Sequence, residues 1–148
     1  MRVGSIFSWK DFYGQADYRI KNRLFIYLGR SPSFLDPIYA YIATTTGQTE
    51  HYIDGGRYSN NNIIWFKQGE CNFDTECVLD LDRNFFDEFE LKEIINKRVI
   101  GIIPDDKMRI IYEKICNNNN IGLEVRRNIH SCFNRNSITG LKKPKKKT

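Results

Sequence analysis

The chain of 148 residues is one domain's worth of polymer, long enough to bury a core without disulfide or metal staples. Its 41% hydrophobic and 14% aromatic content excludes disorder for the body of the chain, and no apolar run approaches the roughly 20 residues of a membrane span. The net charge of +5 comes from one place: Lys142, Lys143, Lys145, Lys146 and Lys147 supply five positive charges, so residues 1–141 sum to about zero and the body must make its own case for a polyanionic partner.

Residues 1–5 enter an alternating pattern directly, with no apolar leader or small-residue cleavage site, which predicts a cytoplasmic protein. The cysteines are Cys71, Cys77, Cys116 and Cys132. None forms a C-x-x-C pair, and His51 and His130 lie far from each other and from any cysteine pair, so no metal and no cofactor are expected. In a cytosolic chain such thiols stay reduced and act as small apolar fillers.

Residues 3–9 alternate as a strand, with Val3, Ser5, Phe7 and Trp9 on one face. Residues 10–21 lack periodicity and read as a long polar-aromatic loop, whose Phe12, Tyr13 and Tyr18 can stack on bases or pack as a lid or dimer contact. Residues 22–29, rich in aromatic and β-branched side chains, predict a strong strand. Beyond the Arg30-Ser31-Pro32-Ser33 turn signal, residues 38–44 are apolar almost throughout, as in a strand buried on both faces. Thr44, Thr45, Thr46 and Gly47 close it. Residues 50–53 predict a short strand stopped by Asp54-Gly55-Gly56, Asn60-Asn61-Asn62 a turn, and residues 63–66 and 76–81 two further strands. Short strands about ten residues apart predict a small barrel or sandwich.

The second half changes character. Residues 86–95 predict a short helix, and residues 98–103 a strand ended by Pro104. Asp105 and Asp106 suit a helix N-terminus, and Met108, Ile111, Tyr112 and Ile115 follow at helical spacing. Asn117 to Asn120 breaks that helix. A second stripe, Val125, Ile129, Cys132 and Phe133, follows, with Arg126, Arg127 and His130 off it on a basic face that reads first as solvated. The chain thus divides into one domain, residues 1–133, and a basic tail, residues 134–148, expected to be disordered.

No Walker loop, Gly-x-Gly-x-x-Gly or Gly-x-Ser-x-Gly is present, so nucleotide-motor and α/β-hydrolase readings have no support. What remains is a set of polar groups at strand ends. Arg23 starts a strand, and three threonine hydroxyls end the next. Hydroxyls and amides can grip a phosphate while a guanidinium neutralises a phosphorane. Metal-free RNA cleavage needs little more, because the RNA's own 2′-hydroxyl is the nucleophile. Each residue also has a plainer reading, an edge charge for Arg23 and good strand formers for the threonines. Asp80 and Asp82 alternate with Leu79 and Leu81, either as the exposed face of a strand or as carboxylates that orient Arg23 or share proton transfer. His51 reads as a surface or packing residue before an acid–base group.

The order of these elements resembles the MazF/PemK family of toxins. Gly4-Ser5-Ile6-Phe7, a long loop and then Asn22-Arg23-Leu24-Phe25-Ile26-Tyr27-Leu28 resemble the family's opening strands. Ile42-Ala43-Thr44-Thr45-Thr46 resembles its third strand, and the stretches beginning at Glu76 and Arg98 resemble its later blocks. The similarity covers residues 3–118. Leu24 stands where the family has Pro, Arg83 where it has Gln, and the first loop holds only Gly14. The resemblance implies an SH3-like small β-barrel of β-rich α+β class with C-terminal helices. It also implies a cytoplasmic homodimer that cuts single-stranded RNA without metal and is restrained by a cognate antitoxin, with no membrane partner. The family's catalytic groups fall on Arg23 and Thr44, with Thr45 as neighbour, and its acidic residue on Asp82; Thr45, Thr46, Tyr18 and Lys21 are the candidate substrate-binding residues. The alternative is a non-catalytic SH3-like module that binds RNA or a protein partner.

Overall fold

The structure, a computed structural model, describes residues 1–12 and 21–145, with the backbone alone at Asp11, Lys21 and Asn22. Aromatic and β-branched runs form strands: β1 (Ser5–Phe12), β2 (Lys21–Arg30), β3 (Tyr39–Thr46), β4 (Ile63–Phe66), β5 (Cys77–Asp80), β6 (Phe85–Glu90) and β7 (Val99–Ile102). Three α-helices, α1 (Leu91–Ile94), α2 (Asp105–Cys116) and α3 (Leu123–Arg135), and two single 3-10 turns, Thr49–His51 and Glu70–Asn72, complete the described elements. Every strand pairing is antiparallel, in the order β4-β5-β3-β2-β1-β7, with β6 also on β3. The first half of β3 pairs with β6 and its last two residues with β5, so the sheet curls into a half-barrel. No helix among the described residues is long and apolar enough to cross a membrane.

The strands at the front of the chain bury both faces, as Ala40 to Thr44 show. One face carries an aromatic cluster in which Phe25 packs against Phe7, Trp9, Phe12 and Phe86 at centroid distances of 5.0–6.1 Å. Phe12, read as a loop residue able to stack or pack, is therefore core. On the other face α3 lies over β2. A Cβ on Gly29, whose φ is +143°, would sit 3.1 Å from Cβ of Cys132, so glycine sets how closely the helix approaches. The curl is tied at its open side by the turn after β4. There the Asn72 side-chain amide donates to the Ile100 carbonyl at 2.7 Å, covering part of the β7 edge, while Lys107 on α2 donates to the Trp65 carbonyl (2.9 Å) and to Glu70 (3.0 Å).

Four sequence expectations are corrected. Residues 50–53 are not a strand: Thr49–His51 forms a single 3-10 turn, because Tyr52 turns inward to a buried carboxylate. Residues 86–90 are strand rather than helix, since Phe85, Phe86 and Phe89 pair along β3 and feed the aromatic cluster. The helix starts only where Glu90 and Glu93 close a capping box. The segment after residue 134 is ordered through Lys145. Ile138 is fully buried, Pro144 is buried, Arg109 donates to the Thr139 carbonyl (2.6 Å), and the Tyr112 hydroxyl donates to the carbonyl of Lys142. Lys146 and Lys147 lie outside the described residues.

Arg126 is the fourth. It is buried, and its guanidinium donates to the Ile121 carbonyl (2.9 Å) and to the Cys116 carbonyl at the end of α2 (3.0 Å). A cation there satisfies orphan carbonyls and meets the negative end of the helix dipole. Arg126→Met keeps the apolar stem and strips those donors, so urea unfolding should show a loss of about 2–4 kcal/mol. A midpoint equal to the parent's would mean that water replaces the guanidinium.

Candidate functional site

The start of β2 and the end of β3 are neighbours. Phe25 pairs with Thr44, which sets Arg23, two residues earlier, and Thr46, two residues later, at the same end of adjacent strands. Strand alternation places both on the face shared with Phe25. On the other side of β2, Arg23 is paired directly with Trp9, whose ring carries the Lys97 ammonium 4.5 Å from its centroid. A half-buried guanidinium thus lies in a row with an aromatic ring, a second cation and a threonine hydroxyl.

The three threonines have different surroundings. Thr44 is fully buried and its hydroxyl donates to the Leu24 carbonyl at 2.7 Å, so it ties β3 to β2 and does not face outward. Thr45 is half-buried and pairs with Leu79 of β5, near the Cys77 thiol, which burial pushes up to about 11. Thr46 is half-buried, and its oxygen accepts from the Gln48 amide at 3.2 Å, which leaves its own hydrogen to donate. Of the hydroxyls expected to touch phosphate, Thr46 is the accessible one beside Arg23. Tyr18 lies outside the described residues, and Lys21 is placed by its backbone at the start of β2.

The carboxylates hold loops. Asp80 is fully buried and accepts four hydrogen bonds: Oδ1 from the amides of Asp82 (2.9 Å) and Arg83 (3.0 Å), Oδ2 from the Tyr52 hydroxyl (2.7 Å) and the Asn61 side chain (3.0 Å). It is not the exposed face of a strand. Burial, followed by the bond to Asp80, raises the Tyr52 phenol well above its ordinary range. Asp82, expected beside Arg23, instead accepts from the Asn62 amide (2.8 Å) and from the side chains of Asn62, Asn118 (2.8 Å) and Asn120. Partial burial works against its charge, but the asparagine hydrogen bonds outweigh it and hold the carboxyl below its ordinary 3.8.

The loop that Asp80 holds presents groups the sequence did not single out. The Arg83 guanidinium lies 3.9 Å from the centre of the Tyr58 ring and Arg57 5.3 Å from it, with His51 edge-on at 5.8 Å. A Cβ on Gly56 would come within 2.6 Å of the His51 carbonyl, so the loop can fold back this tightly only with glycine there. Arg83 had a signal in the sequence only as a departure from the MazF/PemK pattern. Arg57 and Tyr58 had none, because the loop between residues 54 and 62 has no period that could place them.

Neither a scan against models of known protein families nor a search of the curated proteins found a match to this chain.

Asp82 generates a pH signature. Its folded-state pKa is lowered, so its contribution to stability is complete above the ordinary 3.8 and is lost as pH falls through the folded value. Urea midpoints between about pH 2 and pH 6 should therefore fall less steeply in Asp82→Asn than in the parent chain. Parallel curves would remove Asp82 as an acid-labile tie.

Proposed function

We propose that this protein is a metal-independent endoribonuclease acting on single-stranded RNA, with an SH3-like barrel of MazF/PemK type. The observation that supports it is the pairing of Phe25 with Thr44, which brings the Arg23 guanidinium and the Thr46 hydroxyl to one sheet end. In this reading the RNA's 2′-hydroxyl attacks the adjacent phosphorus and gives its proton to water, the P–O5′ bond breaks, and the departing 5′-oxygen takes a proton from water. Arg23 neutralises the charge that develops on the phosphorane oxygens, where a preformed donor contributes most. Thr46 donates to a phosphate oxygen and fixes the phosphate against Arg23. Trp9, with Lys97 across its face, supplies a surface on which a base can stack. Thr44 positions the Leu24 carbonyl, and so the strand carrying Arg23, without touching substrate. Asp82 holds loops and takes no proton. The biological role that goes with this chemistry is a toxin of a toxin–antitoxin pair, cytoplasmic, homodimeric and held in check by its antitoxin.

A second reading is favoured by the closed state of Thr44 and Asp82. With both groups committed to backbone and asparagine partners, the same surface serves as a binding module without chemistry.

One experiment separates them. Purified protein incubated with single-stranded RNA in EDTA should release products ending in 2′,3′-cyclic phosphate. Arg23→Ala should lower the rate about 100- to 1,000-fold, and Thr46→Val by a smaller factor. RNA that stays intact but bound across many sequences supports the module and defeats the nuclease.

A further inference from the structure

We propose that Tyr58, Arg57 and Arg83 form a phosphate-binding subsite for single-stranded nucleic acid, on the opposite flank of the β3 end from Arg23. The choice of RNA as the natural polyanion rests on the nuclease reading above; the subsite rests on its own geometry. A guanidinium stacked on a phenol ring uses its face for the contact and keeps its in-plane N–H donors free around the rim. Arg83 lies over the Tyr58 ring at 3.9 Å from its centroid, with one edge toward the Tyr52 phenol and the others open, and Arg57 approaches the same ring at 5.3 Å. Both arginines are exposed, and among the described residues neither forms an ion pair with a carboxylate. The two acids nearest Arg83 in the chain are both engaged: Asp80 is turned inward with both oxygens occupied, and Asp82 accepts from Asn62, Asn118 and Asn120. Two cations on one ring repel each other, and an anion between them relieves that repulsion.

The ring itself is fixed. The Tyr58 amide donates to the His51 carbonyl at 2.7 Å, and the Tyr52 and His51 rings pack beside it at 5.7 and 5.8 Å. The ordering cost of the platform is thus met within the loop before a ligand arrives. The platform is open, so one small anion would gain little from it, whereas a strand with repeating phosphates can engage several cations together. The Thr44 amide donates to the Asn84 carbonyl (3.0 Å), so the turn carrying Arg83 borders β3 on the side away from β2 and Arg23. On that side Thr45 and Thr46 themselves pair with β5, whose following turn carries Arg83, so Arg23 and the Arg57–Arg83 pair lie on opposite sides of β3.

The test is binding of a short, mixed-sequence, 2′-O-methylated single-stranded RNA, followed by fluorescence anisotropy over a range of salt. The methyl groups block the attacking hydroxyl, so binding is read without cleavage. The double variant Arg57→Gln with Arg83→Gln should bind at least about tenfold more weakly. Its plot of log affinity against log salt should be shallower by about 1.4, the value for two phosphate contacts on a single strand. Tyr58→Phe should bind like the parent, and Tyr58→Leu should weaken binding with charge unchanged. Where the double variant melts well below the parent, Arg57→Gln alone should still weaken binding about threefold. No binding by the parent chain, unchanged affinity in these variants, or equal affinity for a poly-glutamate peptide would overturn the subsite. Weaker binding in the variants, beside a parent that never cuts unmodified RNA, upholds the subsite and removes the nuclease. Cutting by the parent with unchanged binding in the variants does the reverse.

Discussion

The arrangement of this sheet end depends on a carboxylate that water does not reach. Burying an unpaired charge is costly unless hydrogen bonds replace its hydration, and Asp80 has four. Two come from the turn it begins, which sets the direction in which Arg83 leaves the sheet. Two come from a loop of more than a dozen residues whose only regular structure is one 3-10 turn. Such a loop, with Gly55, Gly56 and three consecutive asparagines, has high conformational entropy and few apolar contacts to oppose it. Tyr52 and Asn61 pin it at both ends onto one pair of oxygens. Asp82 repeats the device two residues later, joining the same loop to the connection between α2 and α3 through Asn62, Asn118 and Asn120.

The parts of the fold that were legible in the sequence are those where one physical signal dominates. The buried run before Thr44, the aromatic strand after Arg23 and the stripe Met108, Ile111, Tyr112, Ile115 each obey a single period, and each forms the element expected. Failures occur where a long-range partner overrides a local pattern. Tyr52 looks like a strand residue until Asp80 captures its hydroxyl. Residues 86–90 have helix-compatible composition, but β3 offers them a ladder and an aromatic cluster. Arg126 looks solvated beside Arg127, because nothing in its own helix shows that α2 ends against it. The basic tail looks free because its lysines conceal Ile138 and Pro144, which bind it down over α2 and α3.

The candidate site was half legible for a related reason. Sequence order identified two strand ends that do lie side by side, since neighbouring antiparallel strands necessarily bring the start of one beside the end of the other. It did not identify which threonine stands clear. Thr44 and Thr46 share a face by alternation, yet the curl buries the first beneath the neighbouring strands and leaves the second near the rim. Depth along a curved strand is a tertiary property, and a run of three identical residues carries no mark of it. The carboxylates misled for the opposite reason: alternation with leucine suggested an exposed face, whereas β5 pairs on both sides and is buried throughout.

Net charge is an equally poor guide to what this surface offers a partner. Without its lysine-rich end the chain is close to neutral, but neutrality of the sum does not require neutrality of a face. Asp80 and Asp82 satisfy their oxygens with hydrogen bonds, while Arg57 and Arg83 stand outside on the same loop and turn, and Lys97 lies over Trp9 of β1 on the other side of β2. At physiological salt, charges are screened over about 8 Å, so a polyanion arriving at this end responds to the exposed guanidinium groups and hardly at all to acids elsewhere on the molecule. The same carboxylates that give the loop its shape are thereby withdrawn as partners for Arg57 and Arg83, while Glu50 and Asp54 stay exposed on the same loop. Folding and electrostatic presentation are one arrangement here, because every hydrogen bond that draws a carboxylate inward removes a competitor for the anion outside.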